Sequence, residues 1–243
     1  HDADPSRIFV SGIPQYDGYI TDPPSRREAF FSSIGEHARN HLIIYSPLGG
    51  GFQDLDWSMI DLLYELRQKG RFGDHAVLRV RFPPNDYFDY EEINKRPFLC
   101  YDYPGVRFSK KRGVDWDMSP RELSHLTDTL RHMSLLICYG SSMSVDAALL
   151  DKPVININFE PVTCKSTDLS AVKFYGMTHY KKALETGGIR LVNSERELIK
   201  WVTAYLENPS LDHDGRARLA RAQCQFLDGR SGERIGKFIL KQL

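Results

Sequence analysis

The residues best suited to chemistry in this chain are Gly140, Ser141, Ser142, Ser144 and Asp146, within "LLICYGSSMSVDAALLDKPVININFE". An apolar run of strand length, Leu135–Tyr139, stops at a glycine and two serines, and a short helical pattern, Ser142–Leu150, follows. The first turn of a helix has unpaired N–H groups and the positive end of the dipole, so small hydroxyl residues at such a junction suit an anion. The hydroxyls of Ser141, Ser142 and Ser144 can donate to phosphate oxygens. One turn on, the Asp146 carboxylate can accept from vicinal hydroxyls such as those of a ribose. The plainer alternative is that Ser142 caps the helix and Asp146 is a favourable first-turn charge.

Two further strand ends carry unusual loops. "SPLGGGF", Ser46 to Phe52, places Gly49, Gly50 and Gly51 after an apolar run, where backbone N–H groups can approach a ligand closely. A flexible turn would account for the same residues. The third loop follows Ile157, through Asn158, Phe159 and Glu160, to a stretch in which His179 precedes Lys181 and Lys182 and follows Lys173. A lone histidine is more often structural, but the neighbouring cations suit a surface that faces an anion. No metal-ligand spacing, Walker loop or Ser-His-Asp order is present.

These loops need a scaffold. Strand patterns are expected at Arg7–Val10, Leu42–Tyr45, Ala76–Arg81, Val106–Phe108, Leu135–Tyr139, Val154–Ile157 and Ile189–Val192, with residues 84–105 irregular. Helical patterns alternate with them: one after the capping-box signature at Ser25–Glu28, one carrying Leu55, Met59, Leu62, Leu63 and Leu66, and one opened by "SPRE" at Ser119–Glu122. Others follow the box at Ser194–Glu197 and occupy about 211–228 and 231–242. The strands are continuous apolar runs, as strands buried on both faces are. The pattern predicts an α/β, Rossmann-like, doubly wound and mostly parallel sheet with helices on both faces. No repeat or linker divides residues 1–243, so a single domain is expected.

Composition narrows the function. The 243 residues are 41% hydrophobic, and 32 Lys and Arg balance 32 Asp and Glu. With no net field, nucleic acid is not an expected partner. No apolar run approaches the roughly 20 residues of a membrane span, and no signal-peptide pattern opens the sequence. Cys100, Cys138, Cys164 and Cys224 are scattered, which fits a reducing, cytoplasmic setting.

The order of "RIFVSGIPQYD", "LIIYSPLGGGF", "LRVRFPPND", "SLLICYGSSMSVDAALLDKPVININF", "THY" and "RARLARAQCQFLDGRSGERIGKFI" resembles the C-terminal half of GT-B glycosyltransferases. The branch it resembles includes CDP-glycerol glycerophosphotransferases and capsule polysaccharide transferases. The resemblance spans nearly the whole chain and is most specific from Gly140 to Pro153. It implies a donor-binding domain of a metal-independent transferase, without cofactor, for a UDP-, CDP- or GDP-linked sugar or alditol in surface polysaccharide synthesis. Ser141 and Ser142 would contact the diphosphate, Asp146 the ribose, and His179 and Arg81 would be the candidate catalytic groups. Where related enzymes often carry His-Pro, this chain has Phe82-Pro83, so Arg79 or Arg81 would supply the missing charge. The opening residues resemble the start of the second half of such enzymes. That implies a domain excised from a larger two-domain transferase, inactive alone, with the glycan acceptor held by a missing N-terminal domain and any peripheral membrane association made through the parent protein. A nucleotide-sugar 2-epimerase and a non-catalytic interaction module are the alternatives on the same fold.

Overall fold

The computed structural model describes residues 4–161 and 170–243. In chain order these form α1 (Asp17–Thr21), α2 (Arg27–Ser33), β1 (His41–Ser46), α3 (Gln53–Gln68), β2 (Ala76–Arg81), α4 (Tyr90–Asn94) and β3 (Tyr101–Asp102). There follow β4 (Val106–Arg107), β5 (Trp116–Asp117), α5 (Pro120–His132), β6 (Leu135–Cys138), α6 (Met143–Leu149) and β7 (Val154–Ile157). The remainder is α7 (Thr178–Glu185), β8 (Arg190–Val192), α8 (Glu195–Glu207), α9 (His213–Cys224) and α10 (Ser231–Leu240).

Six strands pair in parallel in the order β3-β2-β1-β6-β7-β8. Counted among themselves they run 3-2-1-4-5-6, the doubly wound order of dinucleotide-binding sheets. The winding reverses between β1 and β6, whose register sets Ser46 beside Cys138. The connections after these two strands leave in opposite directions, and a crevice opens at their carboxyl ends.

Successive residues of each strand point to opposite faces, and both faces are covered. Ile43 and Tyr45 of β1 pack with Leu55, Met59 and Leu63 of α3 and with Leu198 and Val202 of α8. Leu42 and Ile44 pack on the other side with Phe30 and Phe31 of α2, Leu130 of α5, Ala147 of α6 and Leu219 of α9. Fully burying an aliphatic side chain of this size contributes roughly 1.5–3 kcal/mol. That gain explains why these runs contain almost no polar residues.

Several local expectations change. Arg7–Val10 is not a strand: a 3-10 turn over Pro5–Arg7 leads into exposed Ile8, Phe9 and Val10, and Phe9 stacks on Phe238 of α10 at 4.3 Å. The residues expected to be irregular, 84–105, include α4 and the edge strand β3. Val106–Phe108 gives β4, which pairs with β5 in a hairpin of its own. The capping box at Ser25 does not form; α2 starts after Arg26, and the Ser25 hydroxyl bonds His132 Nε2 at 3.1 Å. "SPRE" does form its box, with Ser119 Oγ accepting from Glu122 N and Glu122 Oε2 accepting from Ser119 N at 2.8 Å. The closing "DGRSGERI" also gains a physical role. The Asp17 carboxylate accepts from Ser231 N (3.0 Å) and Gly232 N (2.8 Å), so α1 caps α10 across the whole sequence.

Candidate functional site

The crevice at the switch point is a cleft of about 380 Å³, within the usual range for small-ligand sites. Its lining includes Ser46 from β1, Arg81 at the end of β2 and Phe82 just after it, Gly140, Ser141 and Ser142 from the turn between β6 and α6, Asp146 from α6, and Arg112 from the hairpin tip. Thus Arg81, Gly140, Ser141, Ser142 and Asp146 line one cleft. Gly49, Gly50, Gly51, Ser144 and His179 are not in that lining.

Arg81 is the unusual group. It is only 4% exposed, its Nη1 has no hydrogen-bond partner, and the carboxylate it pairs with, Asp102 Oδ2, lies 3.8 Å away. Burial lowers the pKa of its guanidinium, opposed by the charge of Asp102. Asp102 answers to several partners. Burial raises its pKa, but His125, Arg79 and Arg81 outweigh that and hold it below the ordinary carboxylate value. Arg79 is a structural residue, donating to Asp102 Oδ1 (3.0 Å) and to Ile34 O (3.0 Å), so of these two arginines it is Arg81 that faces the cleft.

The serines divide their work. Ser141 Oγ accepts from Met143 N at 3.2 Å, making it the residue that caps α6. Ser142 makes no capping bond and is exposed, so the capping role expected of Ser142 passes to Ser141. Ser144 is buried beneath the cleft, where Asn156 Nδ2 donates to its hydroxyl at 3.2 Å. A phosphate contact from Ser144 is therefore corrected to a structural one. The first-turn amides are partly used as well: Ser141 N–H donates to Tyr180 OH (3.2 Å) and Val145 N–H to Ser142 O (2.8 Å).

Asp146 lines the cleft but is 7% exposed. Tyr19 OH donates to its Oδ1 at 2.9 Å and Tyr16 OH to its Oδ2 at 3.4 Å. Burial raises its pKa despite those donors and the nearby Arg81. With both oxygens engaged from α1 and the turn before it, Asp146 does not present a free carboxylate to a ribose. It fixes the wall of the cleft instead.

The glycine loop is likewise committed internally. The buried carboxylate of Asp56 accepts from Leu48 N (2.9 Å), Gly49 N (2.8 Å) and Tyr45 OH (3.0 Å), and Asp86 Oδ2 accepts from Gly50 N at 2.5 Å. Gly49 and Gly50 have φ of 69° and 58°. A Cβ on Gly49 would meet Asp86 Oδ2 at 2.0 Å. The loop needs glycine so that a neighbouring carboxylate can approach its backbone, and at Gly49 and Gly50 the expected ligand cradle is filled by the protein itself.

His179 is exposed in the first turn of α7, away from the cleft, as are Lys181 and Lys182. Its neighbour Tyr180 reaches the site. The Tyr180 hydroxyl donates to Asn156 Oδ1 at 2.6 Å and accepts from Ser141 N–H. Phe82, in the position of the expected His-Pro histidine, is fully buried against Trp57, Phe88 and Tyr103. Cys164 lies outside the described residues, and Cys138 and Cys224 are buried free thiols. Among the described residues no cluster of three metal-ligating side chains occurs, and no helix is long and apolar enough to cross a membrane.

The architecture defines the class: a Rossmann-like, doubly wound α/β domain. The solved structures it resembles are of that kind. The wall teichoic acid polymerase TagF is similar over 99% of this chain and 53% of its own, with a TM-score of 0.59 at 15% identity. A putative UDP-N-acetylglucosamine 2-epimerase from Listeria monocytogenes is similar over 99% of this chain and 55% of its own, with a TM-score of 0.51 at 16% identity. S. aureus MnaA, in a co-structure with UDP, matches 100% of this chain and 56% of its own, with a TM-score of 0.50 at 11% identity. The chain thus spans about half the length of these proteins, and at such identity the likeness is one of fold. No family model and no curated protein matches the sequence.

Proposed function

We propose that this chain is the donor-binding domain of a transferase acting on a nucleotide-activated sugar or alditol in surface polysaccharide synthesis. The cleft between the ends of β1, β2 and β6 would hold the diphosphate. The observation that carries this reading is Arg81, a buried guanidinium whose Nη1 has a long ion pair to Asp102 but no hydrogen bond, lining a cleft that also presents Ser141 and Ser142. A buried charge without a hydrogen-bonded partner is costly, and an anion supplies that partner. Charge stabilisation of a leaving nucleoside diphosphate would be the contribution of this domain to transfer. The acceptor and the groups that activate it would belong to a second half.

Calorimetric titration with UDP, CDP and GDP tests the reading. At least one should bind the unmodified chain, and Ser141→Ala with Ser142→Ala should weaken it about tenfold or more, since each hydrogen bond to a charged oxygen contributes roughly 1.5–3 kcal/mol. Loss of the Ser141 cap should cost only about 1 kcal/mol of stability. A variant that melts much earlier yet binds with unchanged affinity would leave the serines as structural residues alone. The second reading, a binding module without catalysis, is favoured by Phe82, whose aromatic packing occupies the place of the expected histidine. It predicts no nucleotide-sugar turnover even in a chain that also contains the other half.

A further inference from the structure

Arg112 stands at the mouth of the same cleft and differs from Arg81 in how it is held. It sits at the tip of the β4–β5 hairpin, which is fastened to the neighbouring loop by Gly113 N donating to Asn85 O at 2.7 Å. Its side chain is 48% exposed, and its Nη1 lies 3.7 Å from Asp86 Oδ2, an ion pair longer than a hydrogen bond. Asp86 does not depend on it. That carboxylate is buried and already accepts from Gly50 N (2.5 Å) and Tyr87 N (2.9 Å). The guanidinium lies over Gly50, whose missing side chain leaves it room: a Cβ there would meet Arg112 Nη1 at 2.8 Å. One cleft therefore holds two cations of different kinds, a buried one at Arg81 and a half-exposed, loosely paired one at Arg112.

We propose that Arg112 is the residue by which this cleft distinguishes a diphosphate from a monophosphate. An incoming ligand with one phosphate satisfies Arg81 and the serines. A second phosphate offers a further anionic group that draws Arg112 off Asp86, and Asp86 keeps its two backbone donors when the arginine leaves. The planar guanidinium suits bidentate contact with such a group. The proposal rests on the nucleotide-binding reading above and adds to it a preference for the diphosphate, set by a residue of the hairpin.

The test is the ratio of dissociation constants for UMP over UDP, and for CMP over CDP, in the unmodified chain, Arg112→Gln and Arg112→Lys. The side chain is half exposed and caps nothing, so both variants should melt with the unmodified chain. For the nucleotide that binds, Arg112→Gln should weaken the diphosphate about tenfold or more and the monophosphate less than threefold, collapsing the ratio, and Arg112→Lys should restore part of it. An unchanged ratio in Arg112→Gln, or an equal loss for mono- and diphosphate, would overturn the proposal while leaving the nucleotide site in place. Failure of the unmodified chain to bind any of the four, or GMP or GDP, would overturn the nucleotide reading and this proposal with it.

Discussion

Asp56 is a carboxyl group sealed in the core beneath the glycine loop, and burial, the dominant effect, pushes its pKa up to about 7 against three hydrogen bonds that pull it down. A carboxyl whose folded pKa exceeds its unfolded value binds a proton more readily in the native state. Its contribution to stability is therefore full below about pH 4 and is lost as pH rises towards 7. Melting temperatures at several values between pH 4 and 8 should show that decline, and Asp56→Asn, less stable at low pH, should show a flatter profile over the same window. Parallel profiles for the two proteins would mean that Asp56 is ionised throughout. At this scale the sequence is only partly legible. The strand-end serines and Arg81 could be selected by type and position, because a junction of strand and helix restricts what they can face. Tyr180 could not be preferred over His179, since one residue's difference in helical phase decides which of them points inward. Tyr16 and Tyr19 lie 130 and 127 residues from the carboxylate they engage, and no local pattern announces such a pair.

Among elements, α9 shows how a helix can be docked by a missing atom and one charge. Gly215 packs on the turn before β8 so closely that a Cβ would lie 2.2 Å from Gly187 O. The adjacent Arg216 is fully buried, donating to Asp151 Oδ1 (2.8 Å), Leu211 O (2.5 Å) and Pro209 O (2.8 Å). Gly215→Ala, normally favourable inside a helix, should instead destabilise the chain, because the obstacle is backbone that cannot turn away. Arg216→Ala should cost at least about 2 kcal/mol, since charge-assisted bonds to one carboxylate and two carbonyls are lost together. Denaturant midpoints measure both, and a gain in stability for Gly215→Ala would show that the turn is able to yield. The element boundaries were legible where local chemistry decides them. "SPRE" contains its own cap and its own proline, and the helix begins there. "SRRE" has the same polar spacing, yet its serine is recruited by His132 on another helix, a tertiary bond that outcompetes the local one.

For the molecule as a whole, the doubly wound sheet was readable because strands buried on both faces leave uninterrupted apolar runs between helical patterns. The edge strand β3 was not, because only two residues pair and an irregular aromatic segment surrounds them. Likewise the opening "RIFV" has the composition of a strand yet pairs with none of the described strands. We expect the chain alone to bind nucleotide and to transfer nothing. The cleft is one wall of the site proposed above, and holding an acceptor in attack geometry accounts for about 7–11 kcal/mol of a typical barrier reduction. Incubation with UDP-, CDP- and GDP-sugars and glycan acceptors, followed by mass spectrometry, measures this against a two-domain relative as the active control. Transfer at ordinary enzyme rates by the chain alone would refute it.

The Tyr180 hydroxyl that receives the Ser141 amide has a consequence in time. While Tyr180 stays in place, that amide hydrogen is held by the side chain of a helix 39 residues further on, and it can exchange with solvent only after the tyrosine withdraws. Its exchange rate is therefore a clock for the lifting of α7 from the end of β6. Amides in the middle of β1 and β6 open only with the whole sheet, so the interval between the two rates records how often the floor of the cleft loosens while the fold remains intact.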